Sequence, residues 1–337
     1  MKNARDRDPD ARTGLAVLPI YQDGRRGCFF DAASNASFAA SEMVEMMKDV
    51  ETNATDTSFG AFLFGYPHLL PEMQGEALAH VFSKARIMMH DGGIIVLDLN
   101  GVPEANDKQT PFGSMCTART LQSDPVLGPA LSHVDILHMN EDELMNLTGV
   151  QFEEDEGKNS DAVSKAASLF LKCGVAVVAI TRGKKGCFIK CNSEERFASS
   201  KMLPSTWIDQ EIKVDASLLP PSTEINSNGA GDAFTCGLLV AAMIRHTGLF
   251  MPPERTSPIK SGSPYCSPKK AAQSSGEQKP SRNLHLTNQA MNLETAAQFA
   301  SLVAARHIDM TTRDFSTLNI NRIREESTVS PHGLEEI

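Results

Sequence analysis

Residues 226–232 have the sequence Asn-Ser-Asn-Gly-Ala-Gly-Asp and run directly into an apolar segment, AFTCGLLVAAMI, at residues 233–244. The small residues Gly229, Ala230 and Gly231 let the backbone approach a ligand closely, and N–H groups at a helix start attract anions. An aspartate that ends such a turn can accept a proton from a hydroxyl undergoing phosphorylation. The stretch thus predicts an anion hole beside a base, Asp232. The same spacing is also typical of a simple turn followed by a helix-capping aspartate.

Other phosphate-binding loops do not fit this stretch. A dinucleotide fingerprint would need glycine at position 234, where the chain has Phe234. No G-x-x-x-x-G-K-[ST] sequence of a Walker loop occurs anywhere in the chain. A nicotinamide-dependent dehydrogenase is therefore the least favoured of the enzyme classes.

The composition and charge of the chain disfavour several further classes of protein. The chain has 337 residues and a formal net charge of −10, which disfavours binding to nucleic acid or to an anionic membrane surface. No apolar run approaches the roughly 20 residues of a transmembrane helix, and the N-terminus does not resemble a secretory signal. The seven cysteines contain no C-x-x-C pair, which fits a reducing, cytoplasmic location. Cys187 and Cys191 are better explained as structural residues than as half of a metal site.

Hydrophobic patterning predicts an α/β fold. Strands are expected at 59–64, 94–98, 134–138 and 175–181, and an antiparallel strand at 187–190. Helices are expected between and after them, at 37–50, 71–90, 141–147, 160–173, 231–246 and 293–308. This alternation, with near-continuous apolar strands, predicts a mainly parallel sheet covered by helices on both faces. Residues 15–20 and 27–30 flank an Asp-Gly turn and predict a hairpin.

Residues 251–280 differ from the rest of the chain. They contain six prolines and six serines and almost no aliphatic side chain, so they cannot bury enough surface to order themselves. We expect a disordered insertion at 251–283 between two core helices, a disordered N-terminus at 1–13 and a C-terminal tail at 314–337. The remaining range, 14–313, is predicted to form a single domain.

The Asn-Gly-Ala-Gly-Asp-Ala-Phe stretch resembles the C-terminal signature of the PfkB (ribokinase-like) carbohydrate kinases. The resemblance implies a three-layer ribokinase-like fold, ATP as co-substrate, Asp232 as catalytic base and an anion hole at Gly229, Ala230 and Gly231. Members of the family often have Asp and Thr where this chain has Asn226 and Ser227. That aspartate helps some members bind a monovalent cation, so the resemblance does not imply K⁺ binding here.

Further segments resemble the same family, in the same order. Residues 134–144 are similar to a strand followed by Asn-x-x-Glu, which implies that Glu143 organises hydrated Mg²⁺ with support from Asn140. Residues 178–187 are similar to the nucleotide turn, and residues 299–305 to the helix that flanks the adenine pocket. The implied ATP-binding residues are Asn140, Thr181, Gly183, Gly186, Asn228 and Ser301. Alone, residues 141–143 also fit an acidic helix start, and Gly183 with Gly186 an ordinary hairpin turn.

Residues 94–100 resemble the strand that ends in Asp-x-Asn before a catalytic-face loop, although the arginine often found just after it is replaced by Gly101-Val102-Pro103. The family's opening strand, its substrate-binding aspartate and its Gly-Gly motif have no counterpart in this sequence. The chain is therefore expected to be N-terminally incomplete or divergent.

Two hypotheses remain. The first is a kinase for a sugar or nucleoside hydroxyl, with a homodimer as a compatible assembly. The second is a ribokinase-like protein that binds nucleotide or a partner without phosphorylating sugar.

Overall fold

The computed structural model describes residues 12–19, 28–53, 59–89, 93–102, 116–150, 156–219, 223, 225–247 and 290–309. The predicted insertion at 251–283 and the predicted tail at 314–337 lie outside these ranges, as does the predicted disordered N-terminus apart from residues 12 and 13. None of the helices in the described ranges is long and apolar enough to span a membrane.

A sheet with six strands in the described ranges forms the centre of the molecule, and its strands are paired in chain order. They are β3 (Ala61–Gly65), β4 (Ile94–Asp98), β5 (Ile136–Asn140), β6 (Val177–Thr181), β7 (Cys187–Cys191) and β8 (Glu211–Val214). The first four run parallel to one another, and β7 and β8 are antiparallel to their neighbours. The predicted α/β fold with a mainly parallel sheet is confirmed.

Helices cover both faces of this sheet. They are α1 (Ala40–Asn53), α2 (Glu76–Met88), α3 (Ala118–Gln122), α4 (Glu141–Thr148), α5 (Glu156–Lys172), α6 (Glu194–Phe197), α7 (Ala230–Thr247) and α8 (Leu293–Ile308). Because strand side chains alternate between faces, Ile95 and Leu97 pack into one core with α2 and α5. Ile94 and Val96 point the other way and pack with α7 and α8. The result is a three-layer arrangement.

Helices α7 and α8, which cover the same face of the sheet, pack closely against each other. Gly237 of α7 lies so close to α8 that a Cβ atom there would sit 2.9 Å from Cα of Ala300. The start of α7 meets the end of α8 in the same way, because a Cβ at Gly229 would lie 2.7 Å from Nε2 of His307. The two helices therefore run antiparallel.

The predicted hairpin near the N-terminus is present as a separate two-stranded sheet. β1 (Leu15–Val17) pairs antiparallel with β2 (Phe29–Asp31), and the predicted turn itself falls outside the described residues. Both strands are exposed on both faces.

Local signals shift several element boundaries from their predicted positions. The first long helix begins at Ala40 rather than at 37, because residues 33–37 form a 3₁₀ turn and Phe38 is extended. The second begins at Glu76 rather than at 71, after a 3₁₀ turn at Pro71–Met73 and Gly75, which has a positive φ of +57°. Strand β5 ends at Asn140, two residues beyond the prediction.

Candidate active site

Several predicted site residues lie at one edge of the sheet. This edge is formed by the carboxyl ends of the parallel strands. β4 ends at Asp98, β5 at Asn140 and β6 at Thr181, and parallel strands place such ends at one edge. Ligands of open α/β sheets bind outside this edge.

The Gly-Ala-Gly-Asp turn leads into the first turn of α7. Gly229 has a φ of +78°, a left-handed conformation that glycine adopts without steric cost. The Ala230 N–H already donates to the Ser227 carbonyl at 3.2 Å, and the Ala233 N–H donates to the Gly229 carbonyl at 2.9 Å. Gly231 and Asp232 lie in the first helical turn, where backbone N–H groups have no intrahelical acceptor and favour an anion.

Asp232 is exposed and is held by Asn100, which follows β4. The Asn100 Nδ2 group donates to Oδ1 of Asp232 at 2.8 Å. An exposed carboxylate at a helix start can reach a substrate hydroxyl, and an amide donor on one oxygen fixes its orientation. The arrangement suits a positioned proton acceptor.

Glu143 is held by the same loop that holds Asp232. Its Oε1 accepts from the Gly101 N–H and its Oε2 accepts from the Asn140 N–H, each at 2.8 Å. The Asn140 side chain in turn accepts from the Glu143 N–H, which completes a capping box at the start of α4. Because Asn100 and Gly101 are consecutive, the two carboxylates are tied to a single short segment.

The donor set around Glu143 fits a hydrated Mg²⁺ ion. Each of its carboxylate oxygens accepts one backbone hydrogen bond, and a carboxylate oxygen has further lone pairs that can accept from water. Mg²⁺ keeps several waters and needs few protein carboxylates. Glu143 is therefore suited to hold the ion through water rather than by direct coordination.

A buried ion pair lies directly behind the turn. Nδ1 of His138 lies 3.0 Å from Oδ1 of Asp98, and Oδ2 of Asp98 accepts from the Thr235 hydroxyl at 2.6 Å. On its other side, Nε2 of His138 lies 3.2 Å from the Thr181 hydroxyl. The His138 ring also packs against Gly231, where a Cβ atom would lie 3.3 Å from its Cε1.

Charge stabilises this pair despite its burial. Burial alone lowers the pKa of His138, but the Asp98 carboxylate and the nearby carboxylates raise that pKa above its ordinary value of 6.5. Burial alone raises the pKa of Asp98, but the His138 charge and hydrogen bonds lower that pKa below 3.8. The pairing thus favours the imidazolium and carboxylate forms more than water does for the same two groups.

The predicted nucleotide turn follows β6. Gly183 and Gly186 both have positive φ values, +56° and +80°, and the Gly186 carbonyl accepts from the Arg182 N–H at 2.8 Å. The buried Arg182 side chain donates to Glu141 at 2.6 Å, which joins this turn to the start of α4. Ser301 of α8 is buried and lies 3.8 Å from the Cys187 sulfur, at the first residue of β7.

Direct contacts connect some of the predicted site residues and not others. Asp232, Glu143 and Asn140 are connected through Asn100 and Gly101, and Thr181 is connected to the turn through His138. Among the described contacts, Ser301 reaches this group only through the β6–β7 pairing. One further residue, His307, is not marked by any sequence motif, and its Nε2 lies 3.0 Å from the Asn228 carbonyl.

The two cysteines of β7 are buried. Burial raises the pKa of the Cys187 thiol to about 11 and raises the pKa of the Cys191 thiol further. Over the described part of the chain, no three His, Cys, Asp or Glu side chains are grouped so that they could hold a metal ion.

Part of this chain is similar to known proteins. Residues 104–246 match the model of the pfkB family carbohydrate kinases. A ribokinase of Arabidopsis thaliana is 30% identical over 117 residues, which is 35% of this chain and 25% of that relative. The match therefore spans about a quarter of the relative's length.

Solved structures of such kinases are also similar. The structure of Arabidopsis thaliana ribokinase complexed with ribose and ATP has a TM-score of 0.42 and 20% identity, over 68% of this chain and 56% of that one. A fructokinase double mutant from Vibrio cholerae, in a fructose-, ADP- and potassium-bound form, has a TM-score of 0.43 and 17% identity over 70% and 60%. By its family-model match, the resemblance of this chain to the PfkB carbohydrate kinases is confirmed over residues 104–246.

Proposed function

We propose that this chain is an ATP-dependent phosphotransferase that acts on a hydroxyl group of a sugar or a related small molecule, with Asp232 as its general base. The observation that carries the proposal is the joint anchoring of Asp232 and Glu143 by Asn100 and Gly101, beside the first turn of α7. A proton acceptor, a carboxylate suited to a hydrated metal ion and the N–H groups of a helix start then converge on one edge.

In the proposed reaction, Asp232 accepts the proton of the attacking hydroxyl. Asn100 keeps the carboxylate oriented by its hydrogen bond to Oδ1. Of the predicted anion hole at Gly229, Ala230 and Gly231, the Ala230 N–H already donates to the Ser227 carbonyl. The N–H groups of Gly229, Gly231 and Asp232 would therefore face the developing negative charge of the transferred phosphoryl group, and the helix dipole would add to their effect. Positioning and charge stabilisation of this kind supply most of the catalysis in phosphoryl transfer.

Glu143 would hold Mg²⁺ through water, and the ion would neutralise charge on the nucleotide phosphates. ATP would lie along Thr181, the Gly183–Gly186 turn and Ser301. The match to the pfkB family carbohydrate kinases supports a sugar-like substrate class. The homodimer, the lack of a nucleic-acid or membrane partner and the cytoplasmic location stay predictions from the sequence.

Replacement of Asp232 by asparagine tests the proposal. Asp232→Asn keeps the side-chain shape but removes the proton acceptor, so phosphoryl transfer should fall by about 10²–10⁴-fold. The measurement is ADP formation from Mg·ATP with a panel of sugars and nucleosides, with the product identified by phosphorus NMR. Asp142→Asn is the matched control, because Asp142 is an exposed acid at the start of α4 and should be replaceable without loss.

Two results would count against the proposal. Wild-type turnover in Asp232→Asn would remove Asp232 from the role of base. Binding of Mg·ADP by calorimetry, with no phosphoryl transfer to any tested hydroxyl, would favour a nucleotide-binding protein without kinase activity.

A further inference from the structure

The end of α8 runs along the segment that enters the anion turn. Ile225 forms an antiparallel bridge with Asp309, and the Asn226 N–H donates to the Ile308 carbonyl at 3.0 Å. The next contact in this series is made by His307, whose Nε2 lies 3.0 Å from the Asn228 carbonyl oxygen. Residues 225–228 are thus tied to residues 307–309 along their length.

The contact between His307 and the Asn228 carbonyl requires a hydrogen atom on Nε2 of His307. A carbonyl oxygen can only accept, so Nε2 of His307 must carry the hydrogen in this bond. Both the neutral Nε2–H tautomer and the imidazolium form satisfy that requirement. The bond therefore does not depend on the charge of the histidine.

This bond also fixes the direction of a group in the anion turn. In a trans peptide the C=O and the following N–H point in opposite directions, and the described chain has no cis peptide bond. A donor that holds the Asn228 carbonyl on the His307 side therefore directs the Gly229 N–H to the opposite side. Glycine itself restrains this peptide little, because it accepts positive and negative φ values almost equally.

The packing of the His307 ring against Gly229 favours the same peptide orientation as its hydrogen bond to Asn228. The imidazole lies against Gly229, where a Cβ atom would be 2.7 Å from Nε2 and 3.4 Å from Cε1. The ring thus occupies the space beside the peptide whose carbonyl it binds, and a rotated peptide would have to replace that contact.

We infer that His307 is a positioning residue for the anion hole, which holds the Asn228–Gly229 peptide so that the Gly229 N–H faces the transferred phosphoryl group. The inference rests on the proposed phosphotransfer function, and His307 acts through the peptide without touching the reacting atoms. It adds the end of α8 to the parts of the site.

Two variants of His307 distinguish the loss of its hydrogen-bond donor from a general effect on folding. His307→Ala removes the hydrogen bond, and His307→Gln keeps an amide donor near the position of Nε2. His80→Ala, at an exposed position of α2 in the opposite layer, is the control for loss of a helical histidine. Because loss of a direct donor from an oxyanion hole costs about 10²–10³-fold in kcat, we expect the indirect loss in His307→Ala to be about tenfold.

The expected pattern is a lower kcat in His307→Ala with an unchanged KM for the sugar and a melting temperature equal to that of His80→Ala. His307→Gln should recover most of the lost kcat. Wild-type kcat in His307→Ala, or an equal loss in the alanine and glutamine variants, would overturn the inference.

A second readout does not require enzyme activity. In a chain labelled with ¹⁵N-glycine, the Gly229 amide can be assigned by its disappearance in Gly229→Ala. Because both His307 variants remove the imidazole ring, the readout is the change of this resonance on addition of inorganic phosphate to each variant. That change should be lost in His307→Ala and retained in His307→Gln. A wild-type phosphate response of the Gly229 amide in His307→Ala refutes the positioning role, whereas absence of transfer by the wild type together with the expected phosphate responses refutes only the kinase proposal.

Discussion

The proposed active site depends on two residues that lack side chains, Gly229 and Gly231. Gly229 adopts a φ of +78° with the His307 ring against it, and Gly231 leaves room for the His138 ring. The backbone can approach both rings only because no Cβ intervenes. At the scale of single residues, the conformation of the Gly-Ala-Gly-Asp turn depends on the His307 and His138 rings packed against it as well as on its own sequence.

Gly229→Ala should destabilise the protein more than backbone conformation alone explains. An L-residue in the left-handed region costs about 1–2 kcal/mol, and at position 229 the new Cβ would also collide with His307. Gly183→Ala is the control, because Gly183 has a similar φ of +56° and a Cβ atom there would meet no other atom within 4 Å. Urea unfolding should give a larger loss for Gly229→Ala.

The His307→Ala background provides the internal check on this cause. With the ring removed, Gly229→Ala should cost no more than Gly183→Ala. Equal losses for the two glycine variants in the wild-type background would contradict the collision with His307.

Asp232, Glu143 and the residue that supports Glu143, Asn140, could be singled out from the sequence, but His307 could not. Asp232 and Glu143 stood out because each ends a recognisable pattern at a helix start. His307 is a lone histidine near the end of an apolar helix, and nothing in its neighbourhood marks it. Its role arises because α7 and α8 pack antiparallel, which brings position 307 beside position 229.

At the scale of secondary structure, one buried charge pair joins three elements. Asp98 ends β4, His138 lies in β5 and Thr235 lies in α7, and two hydrogen bonds connect them. The start of α7 is thereby fixed to the centre of the sheet. His138 is buried, and nothing in the sequence indicates Asp98 as its partner.

This pair predicts how stability changes with pH. Because the pKa of His138 is raised in the folded state, its stabilising effect is complete below 6.5 and is lost as the pH rises through the raised value. Because the pKa of Asp98 is lowered, its contribution is present above 3.8 and is lost at more acidic pH. The pair should therefore stabilise the fold most between pH 3.8 and 6.5.

His138→Asn tests this dependence, because asparagine can still donate to Asp98 but does not titrate. Between pH 6 and 9 the wild type should lose free energy of unfolding relative to the variant, by about 1.4 kcal/mol for each unit by which the pKa is raised. His80→Asn, on the exposed side of α2, is the control and should follow the wild type. Parallel pH profiles for wild type and His138→Asn would show that the pair does not stabilise the fold through its charge.

Elements with strong patterns were predictable, and short edge elements were not. The helix at 293–308 and the strand at 94–98 have the predicted limits, because apolar periodicity and clear ends define them. Strand β8, at Glu211–Val214, was not predicted, because four residues with mixed polarity have no pattern of their own. It forms because β7 offers it an open edge.

At the scale of the whole molecule, α7 and α8 are held together by contacts between their own residues and with the sheet. α7 ends at Thr247 and α8 begins at Leu293, and their antiparallel packing brings these two ends to the same side of the layer. Their apolar side chains, among them Phe234, Leu238 and Phe299, are buried against each other and the sheet. The helices therefore contain what is needed to hold them together.

Replacement of residues 252–280 by a short Gly/Ser linker should consequently leave the protein nearly unchanged. Antiparallel helices are commonly joined by only about 2–8 residues, and each doubling of loop length costs only about 0.6 kcal/mol of closure entropy. The melting temperature and the affinity for Mg·ADP should match those of the full chain, and a linker of twice the length should behave in the same way. A large loss of stability with both linkers would show that residues 252–280 pack against the domain, and the prediction that they are disordered would be wrong.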